Sequence, residues 1–170
     1  MKTLLPLLLI LLTGCTALPK YNYQSQASND PVFIFGDRFG ESAISSPARL
    51  FSINTKDAAS NKCADFDLVG TTSNNWLRFN PSTIKIKTPV GKAVAIRGIY
   101  FYAATAANAK APVTTCEPPA LTFVPKVAAT YSVDVDTSRS GCVLSIVRKM
   151  PDGQKEQVDG LTELPDCREQ

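Results

Sequence analysis

Short apolar runs, each closed by turn-forming residues, repeat along the chain from Pro31 onward. In Thr130–Val135, aromatic and branched side chains alternate with polar ones, which places the two kinds on opposite faces of an extended segment. Pro, Gly, Asn and Asp cluster between the runs, as turns require. The pattern predicts strands at Val32–Phe35, Leu50–Ile53, Phe66–Val69, Ile84–Thr88, Ala93–Tyr102, Leu121–Val124, Thr130–Val135, Val143–Val147 and Gln157–Leu161.

The turn signals are regular and no segment shows a convincing amphipathic helical period. These features predict an all-β fold, an antiparallel β-sandwich of about seven to nine short strands with little helix. The Ala-rich segment Ala103–Ala111 is the exception and predicts either a helical turn or a long loop. The step Phe123-Val124-Pro125, followed by a tyrosine-containing strand, a turn and Cys142, resembles the ends of small envelope lipoproteins. That resemblance implies an Ig-like or transthyretin-like sandwich.

The start of the chain has a different character. Lys2 precedes an almost unbroken apolar run from Leu4 to Leu12, which is too short to span a bilayer because a spanning helix needs roughly 20 such residues. We therefore interpret the run as an export signal that is removed. It closes with Leu12-Thr13-Gly14-Cys15, which resembles the lipobox of bacterial lipoproteins, whose cysteine is acylated and becomes the first residue of the mature protein. An ordinary secretory signal with a cysteine near the cut by chance is the alternative.

The resemblance implies a domain organisation and a location in the cell. Residues 1–14 are then the signal peptide, residues 15–30 the lipidated cysteine with a polar, flexible tether, and residues 31–170 a single sandwich domain. Two acyl chains on Cys15 make anchoring in the bilayer stable. Thr16, rather than Asp, follows the cysteine, which in lipoproteins favours the outer membrane. We expect an envelope protein on that membrane that faces the periplasm.

The other four cysteines, an even number in an exported domain, predict two disulfides. If residues 121–124, 130–135 and 143–148 form a meander, Cys116 and Cys142 lie at its same end. This favours Cys116 with Cys142, which leaves Cys63 with Cys167. The other pairing considered joins Cys63 with Cys116 and Cys142 with Cys167. A zinc site is disfavoured because the chain has no CxxC spacing and no histidine.

The absence of histidine removes the usual general base, the Ser-His-Asp arrangement and the commonest transition-metal ligand. We therefore expect no enzymatic activity, no cofactor and no metal site. The formal net charge is +3, and charges of both signs alternate along the chain without a basic block. Nucleic acid is accordingly not an expected partner.

Three aromatic residues are candidate ligand contacts. Trp76 stands among asparagines and an arginine, a setting that suits stacking on a sugar or anchoring a protein partner, although plugging the end of the sandwich with Phe79 is the commoner arrangement. Tyr100 and Tyr102 share one face of their strand, where an outer position would let them bind a ligand and a covered apolar face is the alternative.

Charged residues at strand spacing form a further group. Asp65 with Asp67, and Asp134 with Asp136, place two carboxylates on one face of a strand. We interpret both pairs as solvated outer faces, with calcium, a cation that prefers oxygen ligands, as the alternative. The lysines of the fourth and fifth strand regions are interpreted as solvent-facing edge protection; they are Lys85, Lys87 and Lys92.

Taken together, these features predict a membrane-anchored envelope lipoprotein that acts as a non-catalytic binding, structural or assembly module with an envelope protein partner. A ligand-binding or inhibitory module directed against a glycan or a hydrolase is the alternative.

Overall fold

The structure, a computed structural model, describes residues 19–25, 27–36, 47–56, 58, 65–73, 83–102, 114–138 and 141–164. Eleven strands form within these ranges. They are β1 (Val32–Phe35), β2 (Pro47–Asn54), β3 (Asp67–Ser73), β4 (Ile84–Lys87), β5 (Val94–Tyr102), β6 (Thr114–Cys116), β7 (Ala120–Phe123), β8 (Thr130–Ser138), β9 (Gly141–Lys149), β10 (Lys155–Gln157) and β11 (Thr162–Leu164).

The strands form two sheets. Sheet I has the order β10-β9-β8-β1-β4, and sheet II the order β11-β7-β5-β2-β3, with β6 also paired to β5. The predicted all-β sandwich is confirmed, with more strands than expected. The arrangement is mixed rather than purely antiparallel, because β1 runs parallel to β8. That pair joins the first strand to the eighth, and the long intervening chain supplies the crossover that parallel pairing requires.

The core lies between the sheets and is built by the alternation noted in the sequence. Phe33 and Phe35 of β1 are fully buried, and so are the inward-facing residues of β8. The ring of Phe33 stacks on Tyr131 at 5.1 Å between centroids, and Phe35 meets Phe51 of sheet II at 5.0 Å. Burying side chains of this size contributes about 1.5–3 kcal/mol each. The contact of Phe35 with Phe51 therefore links the two sheets, whereas that of Phe33 with Tyr131 links β1 to β8 within sheet I.

Gly98 lies at a point where the two sheets approach each other closely. A Cβ at this position of β5 would lie 2.5 Å from Cγ2 of Val135 and 3.2 Å from Cδ1 of Leu144, both in sheet I. Real Cβ atoms do not come so close, so only glycine fits without a shift of the opposite sheet. The glycine inside a long apolar strand is thus explained by packing between sheets.

The hydroxyl of Tyr131 fixes the loop between β7 and β8. It accepts a hydrogen bond of 2.8 Å from the backbone N–H of Lys126, five residues upstream. A tyrosine corner in a sandwich makes a similar bond back to the preceding connection. Burial raises the pKa of Tyr131, which keeps the hydroxyl protonated at neutral pH. The loop that carries Lys126 is therefore tied to the core.

The N-terminal strap, which we define as Pro19–Asp30 without residue 26, packs against the domain. The N–H of Tyr21 donates to the carbonyl of Leu68 at 2.9 Å, and the N–H of Leu68 donates to the carbonyl of Pro19 at 2.6 Å. The Tyr21 hydroxyl donates to the carbonyl of Lys87 at 2.9 Å. The prediction of a flexible tether over residues 15–30 is therefore wrong from Pro19 onward, because backbone hydrogen bonds to β3 and the tyrosine hydroxyl bond to β4 hold this segment against the domain.

Local patterns predicted most strands, and three expectations failed. The predicted strand at Gln157–Leu161 falls largely in the connection between β10 and β11, and β6 was not predicted. The proposed meander is also wrong, because β7 belongs to sheet II whereas β8 and β9 belong to sheet I. Residues 103–111 lie outside the described residues. In the part of the chain that the structure describes, no helix is long and apolar enough to cross a bilayer.

Candidate functional site

The predicted disulfide between Cys116 and Cys142 is present, with the two Cα atoms 6.0 Å apart. It connects β6, which pairs with β5 of sheet II, to β9 of sheet I. The bond therefore joins the two sheets, rather than two ends of one meander as the sequence argument assumed. The favoured pairing is confirmed for this bridge and the other pairing is excluded. Cys63 and Cys167 lie outside the described residues.

Other predicted site residues also fall outside the described part of the chain. Cys15 and Trp76 are among them, and for Tyr102 only the strand position is described. Tyr100 is described and lies on the inward face of β5, with 9% of its surface exposed. An outer-face position for Tyr100 is therefore wrong, because the alternation of β5 points this residue in the same direction as the buried Ile96.

Tyr100 belongs to a buried polar cluster that connects the sheets. Arg49 of β2 and Asp134 of β8 form an ion pair, Nε to Oδ1 2.8 Å, with side chains 4% and 1% exposed. The same Nε donates to the carbonyl of Val135 at 3.1 Å, and the guanidinium lies 5.7 Å from the centre of the Tyr100 ring. The solvated interpretation of Asp134 is wrong, because a cation from the opposite sheet covers it.

Sequence reasoning missed Arg49, although a signal was present. In β2 the residue is two positions before the buried Phe51 and four before the buried Ile53, so alternation places it on the inward face. A buried arginine needs a carboxylate or carbonyl partner. The sequence alone does not identify that partner, because alternation places Asp134 on the face of β8 opposite to Val133 and Val135.

The remaining charged predictions have mixed outcomes. Asp65 is exposed, precedes β3 and has a positive φ of 69°, so it does not share a strand face with Asp67, which pairs with Lys56 at 3.7 Å. No group of three or more potential metal ligands occurs among the described residues. Lys85 is exposed on β4, which is an edge strand, as the edge-protection interpretation requires, and Lys92 is exposed beyond that strand. For Lys87 the interpretation is wrong, because this lysine is half-buried and donates to the Ser25 hydroxyl.

The first candidate site is an apolar and basic surface at one end of the sandwich. We call Val124, Lys126, Val127, Arg148 and Met150 the end surface. The two valines are each 60% exposed and the methionine is 36% exposed. An open groove of about 450 Å³ and a smaller one of about 20 Å³ adjoin there, and the lysine and the arginine line both.

The charges of the end surface are partly balanced. Arg148 pairs with Glu156, and Lys126 lies 3.9 Å from Asp159, both as exposed ion pairs. Exposed pairs of this kind contribute less than about 1 kcal/mol and rearrange readily. The apolar side chains therefore dominate the chemistry of the surface, with Lys126 and Arg148 beside them. This combination of methionine, arginine and exposed aliphatic groups is typical of protein interfaces.

The second candidate site is a groove between the N-terminal strap and β4, which we call the strap groove. It has a volume of about 370 Å³ and is lined by hydroxyl groups, two lysines and one isoleucine. Its lining residues are Tyr21, Tyr23, Ser25, Lys85, Ile86 and Lys87. The Nζ of Lys87 donates to the Ser25 hydroxyl at 3.3 Å. The groove therefore presents two lysines beside hydroxyl groups that are already bonded within the protein.

A buried carboxylate supports one wall of the strap groove. The Ser25 hydroxyl donates to Oδ2 of Asp30 at 2.7 Å, and the Tyr23 hydroxyl donates to the same atom at 3.0 Å. These bonds, Ser25 first, lower the pKa of Asp30, together with the backbone N–H groups of Val90 and Ala27. Burial raises the pKa of Tyr21 well above its ordinary range. At neutral pH the carboxylate of Asp30 is charged and the tyrosine hydroxyls are neutral. The hydroxyls of Tyr23 and Ser25 therefore donate to a charged acceptor, and these bonds hold the strap in place.

No protein-family model matches the chain, and no curated protein is significantly similar to it in sequence.

Proposed function

We propose that the chain is a lipid-anchored envelope lipoprotein that acts without catalysis, by binding an envelope protein through the end surface. Cys15, in the lipobox-like sequence, is the proposed site of lipidation, and the outer membrane facing the periplasm is the proposed location. The disulfide between the sheets supports an oxidising compartment such as the periplasm. The sequence contains no histidine, which supports a role without acid–base catalysis.

The observation that carries the binding role is the exposure of Val124, Val127 and Met150 around adjoining grooves. Exposing apolar surface of this size to water is unfavourable at roughly 25 cal/mol per Å², so a partner that covers it gains that energy. The loop that carries the two valines is tied to the core by Tyr131, which lowers the entropy lost when a partner binds.

The experiment is cross-linking of the full-length protein in intact cells, followed by purification and identification of the linked proteins. Val127→Asp places a charge in the end surface and is expected to abolish the recovery of a reproducible partner. Val143→Asp is the matched control, because Val143 is 58% exposed on β9 but lies seven residues before Met150, about 24 Å along an extended strand. Equal recovery with both variants, or no reproducible partner with the unsubstituted protein, would contradict the proposal.

A further inference from the structure

The strap groove lies close to the position proposed for the membrane anchor. Only three residues separate Cys15 from Pro19, the first residue of the strap. Four residue steps span at most about 14 Å even when fully extended. A domain of this size has a radius of gyration of about 15 Å. A lipid on Cys15 therefore holds the strap side of the domain against the bilayer.

The charges on that side suit a phospholipid surface. The backbone of Lys20 forms an isolated β-bridge with Leu68, and its side chain is exposed. Lys85 is exposed on the nearby edge strand β4. Two acidic residues of this region are already engaged, since Asp67 pairs with Lys56 and Asp30 is buried under hydroxyl donors. The accessible lysines are therefore left to interact with anionic groups outside the protein.

The groove itself has the chemistry of a phosphate headgroup site. Lys85 and Lys87 supply ammonium groups. Tyr21 and Tyr23 line the groove beside them, and the hydroxyl hydrogens of Tyr23 and Ser25 are donated to Asp30. Tyrosine is favoured at membrane interfaces, because the ring is apolar and the hydroxyl is polar. Each lysine near an anionic membrane surface strengthens the contact about fivefold.

We propose that the strap groove, with Lys20 beside it, binds the anionic headgroups of the bilayer that holds the lipid anchor, and so fixes the orientation of the domain. The inference rests on the proposed lipidation of Cys15. In this orientation β4 faces the bilayer, and β10, at the opposite edge of sheet I, lies away from it by four strand spacings, about 19 Å.

The test is lysine labelling of the purified full-length protein, reconstituted in vesicles of phosphatidylcholine alone or of phosphatidylcholine with phosphatidylglycerol. A water-soluble amine reagent modifies exposed lysines, and peptide mass spectrometry measures the rate at each position. Lys20 and Lys85 are expected to react several-fold more slowly in the vesicles that contain phosphatidylglycerol. Lys155 of β10 is exposed and is expected to react equally in both.

Substitution of one lysine distinguishes binding by the groove from protection that comes only from closeness to the membrane. Lys85→Gln is expected to reduce the protection of Lys20 by about fivefold. Lys155→Gln, a matched change in the other edge strand of sheet I, is expected to leave that protection unchanged. Protection that is equal in the two kinds of vesicle, or insensitive to Lys85→Gln, would overturn the inference.

The intact mass of the same sample distinguishes the two proposals. A protein without acyl groups would contradict the proposed anchor. An acylated protein whose Lys20 and Lys155 react equally in both kinds of vesicle would contradict only the headgroup site.

Discussion

The buried ion pair between the sheets gives the sharpest prediction for stability. Asp134→Asn keeps the shape of the side chain and removes its charge, which leaves the guanidinium of Arg49 in the core with 4% exposure. Breaking a buried pair in this way costs about 3–5 kcal/mol, because the remaining charge loses its partner and cannot reach water. That is a large part of the roughly 5–15 kcal/mol by which a typical domain is stable.

Urea unfolding, followed by circular dichroism, measures the change. A loss of this size lowers the midpoint by at least about 1 M. Asp159→Asn is the control, because Asp159 is 87% exposed and 3.9 Å from Lys126, and it is expected to change stability by less than about 1 kcal/mol. The double variant Arg49→Met with Asp134→Leu removes both charges and is expected to be more stable than Asp134→Asn alone. A loss below about 1 kcal/mol in Asp134→Asn, or a double variant less stable than it, would refute this reasoning.

Three other predictions concern the disulfide, the contact between the sheets and the strap. Replacement of Cys116 and Cys142 together by Ser is expected to lower the free energy of unfolding by about 3.5 kcal/mol, because the disulfide, between cysteines 26 residues apart, no longer restricts the unfolded chain. Urea titration measures this loss, and an unchanged midpoint would contradict the prediction. Gly98→Ala is expected to lower the stability by about 1–3 kcal/mol, because the added methyl group meets Val135. In a chain that also carries Val135→Ala, the same glycine substitution should cost less. Thermal melts of the unsubstituted protein, the two single variants and the double variant measure this coupling, and strictly additive effects would argue against the contact. The pKa of Asp30 is lowered in the folded protein, so its carboxylate contributes fully to the free energy of unfolding above the unfolded pKa of about 3.9, and this contribution is lost as the pH falls through the folded pKa. Asp30→Asn should therefore make the urea midpoint depend less on pH in the acid range. Parallel curves of midpoint against pH for the two proteins would be evidence against the role of the carboxylate.

The strands were predictable because their signal is local. Alternation in β8 and the long apolar run of β5 identify these elements without knowledge of their neighbours. The edge position of β4 was also anticipated from its lysines, since exposed charges protect unpaired strand edges. What local pattern does not contain is the choice of sheet, and β7 was accordingly assigned to the wrong one.

The buried charges show the same limit at the level of single side chains. Asp134 is one of the polar residues in the alternating pattern of β8, and such residues usually face water. Its burial depends on Arg49, which comes from a distant part of the chain and from the other sheet. The disulfide prediction succeeded although its premise was wrong, because Cys116 and Cys142 lie at one end of the sandwich but in different sheets.

The strap was misjudged for a related reason. Its composition is polar, and polar segments of this kind are commonly disordered. Here the hydroxyls of Tyr23 and Ser25 converge on Asp30, and Tyr21 pairs through its backbone with Leu68. Only three residues separate Cys15 from the strap in the sequence, so the proposed anchor would place the domain close to the membrane surface.

The most direct test of lipid anchoring is the mass of the N-terminal peptide of the protein extracted from membranes. Lipidation predicts a chain that begins at Cys15, with a thioether-linked diacylglycerol on the sulfur, and Cys15→Ser is expected to remove that mass and to release the protein from the membrane fraction. An N-terminal peptide that retains residues 1–14, or one in which Cys15 carries no lipid, would contradict it.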